Sequence, residues 1–296
     1  MAEKDVKKFT RQMRVWQFKW VDMYAEWKVS NGVTQNVSQS VNGWLNDFEL
    51  QWKDGMGNVN TSFSAEGFKA TRKSAGVEAT KDTFKTVHGG QVAAATSADG
   101  LTGRAQRNML ALLFKKELVN MFKEFDKVVE NGFNLPLATK VKEFMKQPLF
   151  KNAVHLVDKA GKHWETGNYA AMYSRTKGAD IYNQTVMSDM NDLGMDVVQV
   201  SPIATDTPIC SQFVGRFYSL SGNHPTLPTL EITPPFHPNC VHDLLTVRPV
   251  DGMAEQNRKL DSKTQDLTTA QKKGIKKGED YIRLNRPNVY AGAEAV

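Results

Sequence analysis

Five prolines crowd the stretch from Pro225 to Pro238, and the chain's two cysteines, Cys210 and Cys240, stand on either side of them. Proline fixes φ and removes an amide donor, so neither a helix nor a central strand can run through such a segment. With Gly222 in front, Pro225, Pro228, Pro234, Pro235 and Pro238 demand a rigid loop. The loop follows Asp206-Thr207-Pro208-Ile209-Cys210 and closes with Pro234-Pro235-Phe236-His237-Pro238-Asn239-Cys240-Val241-His242. If it folds back, Cys210, His237, Cys240 and His242 can meet. Two thiolates and two imidazoles have the composition of a structural zinc site or of a cysteine-containing lock. A plainer alternative is that the cysteines are small buried hydrophobes and His237 a hydrogen-bonded core group.

The segments around the loop read as strands. Met195 to Val200 alternates and is rich in valine, Phe217-Tyr218-Ser219-Leu220 follows the turn at Gly215, and Leu244 to Pro249 completes a set of three. This predicts a small sheet over 194–250 carrying the proline-rich loop on its edge. After Val250 the sequence turns polar and lysine-rich, with Lys272-Lys273 and Lys276-Lys277. Residues 251–296 are therefore expected as a tail that wraps a neighbour or is loosely held.

Upstream, the spacing is helical. Val6, Phe9, Met13, Trp16, Trp20, Met23 and Trp27 recur every three or four residues, predicting an amphipathic helix over 1–32 that stops at Ser30-Asn31-Gly32. Three tryptophans on one line allow two readings. Either the helix is buried in its own domain, or Trp16, Trp20 and Trp27 dock on a partner protein. Val41, Trp44, Leu45, Phe48 and Trp52 suggest a short second helix stopped at Asp54-Gly55 and Gly57, and the rest of 33–105 reads as an arm, a poorly packed helical region or an insertion. Helical spacing returns over 106–193, with helices expected near 136–146, from Phe150 to Trp164 and from Tyr169 to Leu193. His155 and His163 lie there without carboxylates placed to share a metal. Neither an HExxH nor a Gly-x-Ser-x-Gly motif occurs. The fold class is α+β: a mostly helical N-terminal region followed by a small sheet domain.

The formal charge is +6, and the mean hydropathy is −0.47. No run approaches the roughly 20 apolar residues of a membrane span, so no membrane partner is expected. The first residues lack the apolar core of a signal peptide, and two cysteines make no disulfide framework, which together predict synthesis in a reducing cytoplasm. Residues 101–165 carry 12 Lys/Arg against 7 Asp/Glu. Within them Lys115, Lys116, Lys123 and Lys127 are candidates for sequence-independent contact with DNA phosphates, although a solvated surface accounts for most of the charge.

From about Tyr173 to Pro249 these elements fall in a familiar order. Arg175-Thr176 leads to Asn183, then Gly194-Met195, the strand Val197 to Val200, Asp206 to Cys210, Gly215-Arg216-Phe217, and Pro234 to Cys240. The set resembles the C-terminal domain, here about 173–249, of the Mu F-like minor head proteins of tailed bacteriophages. The resemblance implies structural-motif roles for Arg175, Asn183, Asp206 and Gly215. It also implies a minor structural protein inside the phage head, associated with portal or major capsid protein and with packaged DNA, acting in head assembly and genome packaging or delivery. Phe213 stands where the family often has a second cysteine, and His242 where it often has a fourth. A Cys2His2 set survives, so zinc remains a candidate cofactor, and so does a Cys210–Cys240 disulfide formed once lysis exposes the particle to oxidising surroundings. The rival class is a thiol- or metal-dependent hydrolase using Cys210 and His237. Four protein ligands would, however, leave zinc no open position.

Overall fold

Helices, interrupted by one small hairpin, carry the chain as far as Asp192, and a sheet of short strands follows. The structure is a computed structural model that describes residues 2–131, 134–158, 161–205 and 207–264, with side chains to residue 261. Its elements are α1 (Ala2–Phe18), α2 (Trp20–Val29), a 3-10 turn (Thr34–Val37), α3 (Ser38–Ala75), α4 (Lys81–Asn131), α5 (Leu137–Phe144), α6 (Pro148–Val154), β1 (Leu156–Val157), β2 (His163–Trp164), α7 (Thr166–Asp192), β3 (Val197–Val200), α8 (Pro208–Ser211), β4 (Phe217–Ser219), β5 (Leu244–Thr246) and α9 (Met253–Thr264). This is the expected α+β class. No helix among the described residues is long and apolar enough to cross a membrane.

Two compact units form, and they interleave in sequence rather than following one another. One takes Glu3–Asn58 and Ala94–Met172; the other takes Ala2, Val59–Ala93 and the described residues from Tyr173 on. Each of α3, α4 and α7 contributes residues to both.

The first unit is built on aromatic residues. Val6, Phe9, Met13, Trp16, Trp20, Met23 and Trp27 are all buried, so the amphipathic stripe faces its own unit, although it is two helices broken at Lys19. The Trp16 and Trp44 rings stack at 4.3 Å, and each indole N–H donates to the other residue's carbonyl, at 2.7 and 3.0 Å. Trp20 meets Phe125, Phe144 and Phe150, and Trp27 meets Phe122. Partner docking by Trp16, Trp20 and Trp27 is therefore corrected: their surface is already used inside the unit.

The region 33–105, expected as an arm or insertion, is most of two long helices. Gly55 and Gly57, expected as stops, lie inside α3, because the absent side chain at Gly55 makes room for the Phe9 ring and Gly57 lies against Thr96. Gly103 of α4 does the same for Trp52. Glycine here allows close helix approach and does not mark a turn. The helix expected to run from Phe150 to Trp164 ends at Val154. Beyond it β1 pairs antiparallel with β2, Leu156 opposite Trp164, and Gly161 takes φ +77° in the connection.

In the second unit the three-stranded sheet has the order β4-β3-β5, antiparallel throughout, with Val198 facing Tyr218 on one side and Thr246 on the other. α7 ends at Gly194 with φ +65°; Met195 N–H returns to Met190 O at 2.8 Å and Gly194 N–H to Asn191 O at 3.1 Å. That double closure is a Schellman cap, which only a residue comfortable at positive φ can complete. It turns the chain directly into β3, and Val186 and Met190 pack beneath Val198 and Val200. The expected polar tail starts instead as α9. Asn257 donates to Phe217 O at 2.8 Å and accepts from Phe217 N–H at 2.9 Å, and Arg216 pairs with Asp261. Residues from 265 on, with Lys272, Lys273, Lys276 and Lys277, lie outside the described residues.

Candidate metal centre

Cys210 sits in α8, a single turn opened by Pro208 at its first position, where the missing amide proton costs nothing. Cys240 closes a tight turn: its N–H donates to His237 O at 3.0 Å, with Pro238 and Asn239 at the two central positions. Asn239 has φ 60°, which asparagine tolerates better than most residues. Its N–H donates to Thr176 Oγ1 on α7 at 3.1 Å. This contact gives the threonine after Arg175 its role, and the positive φ accounts for the asparagine before Cys240.

These supports bring Cys210, His237 and Cys240 together, with one ligand atom of each within 4.8 Å of the others. The two Sγ atoms are 3.8 Å apart and both thiols are free. Two thiolates bound tetrahedrally at about 2.3 Å would be separated by about 3.8 Å, so the spacing suits a shared metal. His237 donates from Nδ1 to Pro238 O at 2.8 Å, leaving Nε2 as its free lone pair. His242 does not join the group of three. It is nonetheless adjacent, donating from Nε2 to Ile203 O at 2.9 Å and turning Nδ1 to Cys240 Sγ at 3.5 Å. Both imidazoles thus have one nitrogen fixed by a carbonyl, the outer hydrogen bond that metal-binding histidines make. The donor set fits zinc.

Electrostatics divides the two thiols. Hydrogen bonding from the Cys210 thiol, then the backbone amides of His242 and Phe236, pulls the Cys240 pKa down. Cys210 is pushed up by the same interaction and by burial. Burial, and after it the Cys240 charge, raises Asp243 to about 6. A nucleophile needs a lowered pKa and access; Cys210 has neither, being fully buried in the core with Val198, Ile209 and Phe236. The arrangement suits ligation.

Asn183 is the strongest of the motif residues. It is buried on α7, donating from Nδ2 to Pro234 O at 2.9 Å and accepting Leu244 N–H at 2.7 Å, so one amide ties the proline loop and β5 to the helix. Gly215 takes φ +76°, and its N–H reaches Val200 O at 2.9 Å. Arg175 is exposed on α7 and Asp206 lies outside the described residues. Phe213, at the position of the missing cysteine, stacks on Phe236 at 4.5 Å; an aromatic pair fills the place of a ligand. Lys115, Lys116, Lys123 and Lys127 are all exposed on α4, Lys127 paired with Glu124 at 2.6 Å. Ile203 contributes to the site through its carbonyl alone, which no side-chain pattern could have signalled.

A family model covers the segment in which this centre is built. Residues 138–277 match the phage minor capsid protein 2 family. The match to this minor capsid family agrees with the resemblance to a phage minor head protein and begins at 138, earlier than the expected start near Tyr173. It takes in α5, α6 and the β1–β2 hairpin as well as the Cys/His loop, and its last residues, 265–277, lie outside those described. Residues 138–277 are thus similar to a structural phage family. No curated protein and no solved structure matches the chain.

Proposed function

We propose that this chain is a minor structural protein of a tailed-phage head, carried in the virion interior and made in the host cytoplasm. In this reading it associates with the portal or the major capsid protein and acts in head assembly and in genome packaging or delivery, without turnover. The observation that carries the reading is the minor capsid match over 138–277. The chemistry of the Cys/His centre is consistent with it, since both thiols are buried among core residues, where a bound zinc would brace the proline loop. Cys210, His237 and Cys240 hold the metal, and His242 supplies the fourth donor from its position beside Cys240.

Quantitative mass spectrometry of purified virions tests the role: the chain is expected in few copies per particle, and its absence would remove the reading. Elemental analysis of the purified protein tests the metal separately, with about one zinc per chain expected and a ratio near zero against it.

A further inference from the structure

The outward face of α4 in the first unit is apolar at one end and basic at the other. Leu101 and Leu112 are 65% and 72% exposed, with Met109 and Val119 at 38% and 37%. At 3.6 residues per turn, Leu101, Ala105, Met109, Leu112 and Val119 fall in one sector about 80° wide. Opposite them, Leu110, Phe114, Met121 and Phe125 are buried in the unit. Lys116 and Lys123 share the exposed sector and Lys115 borders it. Leu50 of α3 is also exposed, at 59%.

We propose that this face is a docking surface for an acidic amphipathic helix of a partner protein. Exposed leucines in one sector of a helix mark a contact to be covered, and phosphates would meet the lysines but gain nothing from Leu101 and Leu112. A second copy of the same face would set lysine against lysine if packed parallel and lysine against leucine if packed antiparallel, and neither supplies an opposite charge. The chain's own lysine-rich segment after Val250 carries the same sign of charge. A helix with a leucine-like stripe running into glutamates or aspartates matches both halves at once, the stripe by burial and the acids by charge. The inference stands on this surface and does not depend on where the protein is found.

The test uses the full-length protein and three probes: a synthetic helical peptide with a leucine stripe flanked by glutamates, the same stripe flanked by lysines, and a short DNA duplex. Fluorescence anisotropy is expected to show micromolar binding of the glutamate peptide, weakening with salt, and at least tenfold weaker binding of the lysine peptide. Leu101→Ser with Leu112→Ser, and separately Lys115→Glu with Lys116→Glu and Lys123→Glu, should each reduce that binding at least tenfold without changing the melting temperature. Leu101→Ala with Leu112→Ala serves if the serine pair does not fold. Binding of the glutamate peptide that ignores the leucine changes overturns the proposal. So does duplex binding that is lost with the lysines and indifferent to the leucines, which would make the face a phosphate surface. Self-association dissolved by Leu112→Ser would assign it to a second copy and also overturn it. Absence of the chain from virions would remove the head role and leave these outcomes unaffected.

Discussion

Asn183 illustrates what one side chain decides. Its amide holds two buried backbone groups, Pro234 O and Leu244 N–H, that have no other use for their hydrogen-bonding capacity once the loop and strand are in place. Asn183→Ala leaves both in an apolar setting, at about 1–3 kcal/mol each, so urea unfolding should report a loss of at least about 2 kcal/mol. Asn183→Asp keeps the acceptor for Leu244 and loses the donor for Pro234, and should fall between. His155 gives a pH-dependent counterpart. Burial, then the nearby Lys151 and His163 charges, lowers its pKa to about 4, against about 6.5 in an unfolded chain. Between those values the unfolded state binds a proton that the folded state refuses, so stability is full above about pH 6.5 and falls as the pH drops towards 4. His155→Gln should flatten that part of the stability–pH curve.

Among the elements, the helices of the first unit depend on glycines that permit contact. Gly103 leaves space for the Trp52 indole and Gly55 for the Phe9 ring, whereas helix propensity alone would favour alanine at both. Gly103→Ala is therefore expected to destabilise by about 1–3 kcal/mol through overpacking, measured by thermal or denaturant unfolding; a stabilised variant would refute the packing account. Such glycines misled the sequence reading, because Asp54-Gly55 and Gly57 look like stops when the facing ring is unknown. The strands were easier to read. Valine-rich 197–200 and the glycines at 194 and 215 announce a strand between two positive-φ turns, a local signal that neighbouring packing did not override. The Phe150–Trp164 helix failed for the opposite reason: its apolar residues continue, but they do so in the β1–β2 hairpin.

For the molecule as a whole, the metal is the one expected ligand whose binding would change stability. A metal held only by the folded chain adds stability by mass action, about 4 kcal/mol at a thousand times its dissociation constant. A chelator is thus expected to lower the melting temperature of the wild-type protein and to leave Cys240→Ser, already lower, almost unchanged. Equal shifts in both would exclude the Cys/His centre as the metal's place. Within the candidate site, Cys210, His237 and Cys240 were legible from residue type and spacing, while the station of His242, oriented by Ile203 O beside the group of three, was not. The helical stripe, the three strands, the rigid loop and the likeness to a phage head protein were all readable from residue order, since each depends on local periodicity, backbone restriction or ordered motifs. The internal use of Trp16, Trp20 and Trp27, the passage of α3 through its glycines and the set of donors that converge emerged with the packed fold. Those outcomes depend on which surfaces distant segments present to one another, and no local pattern encodes them.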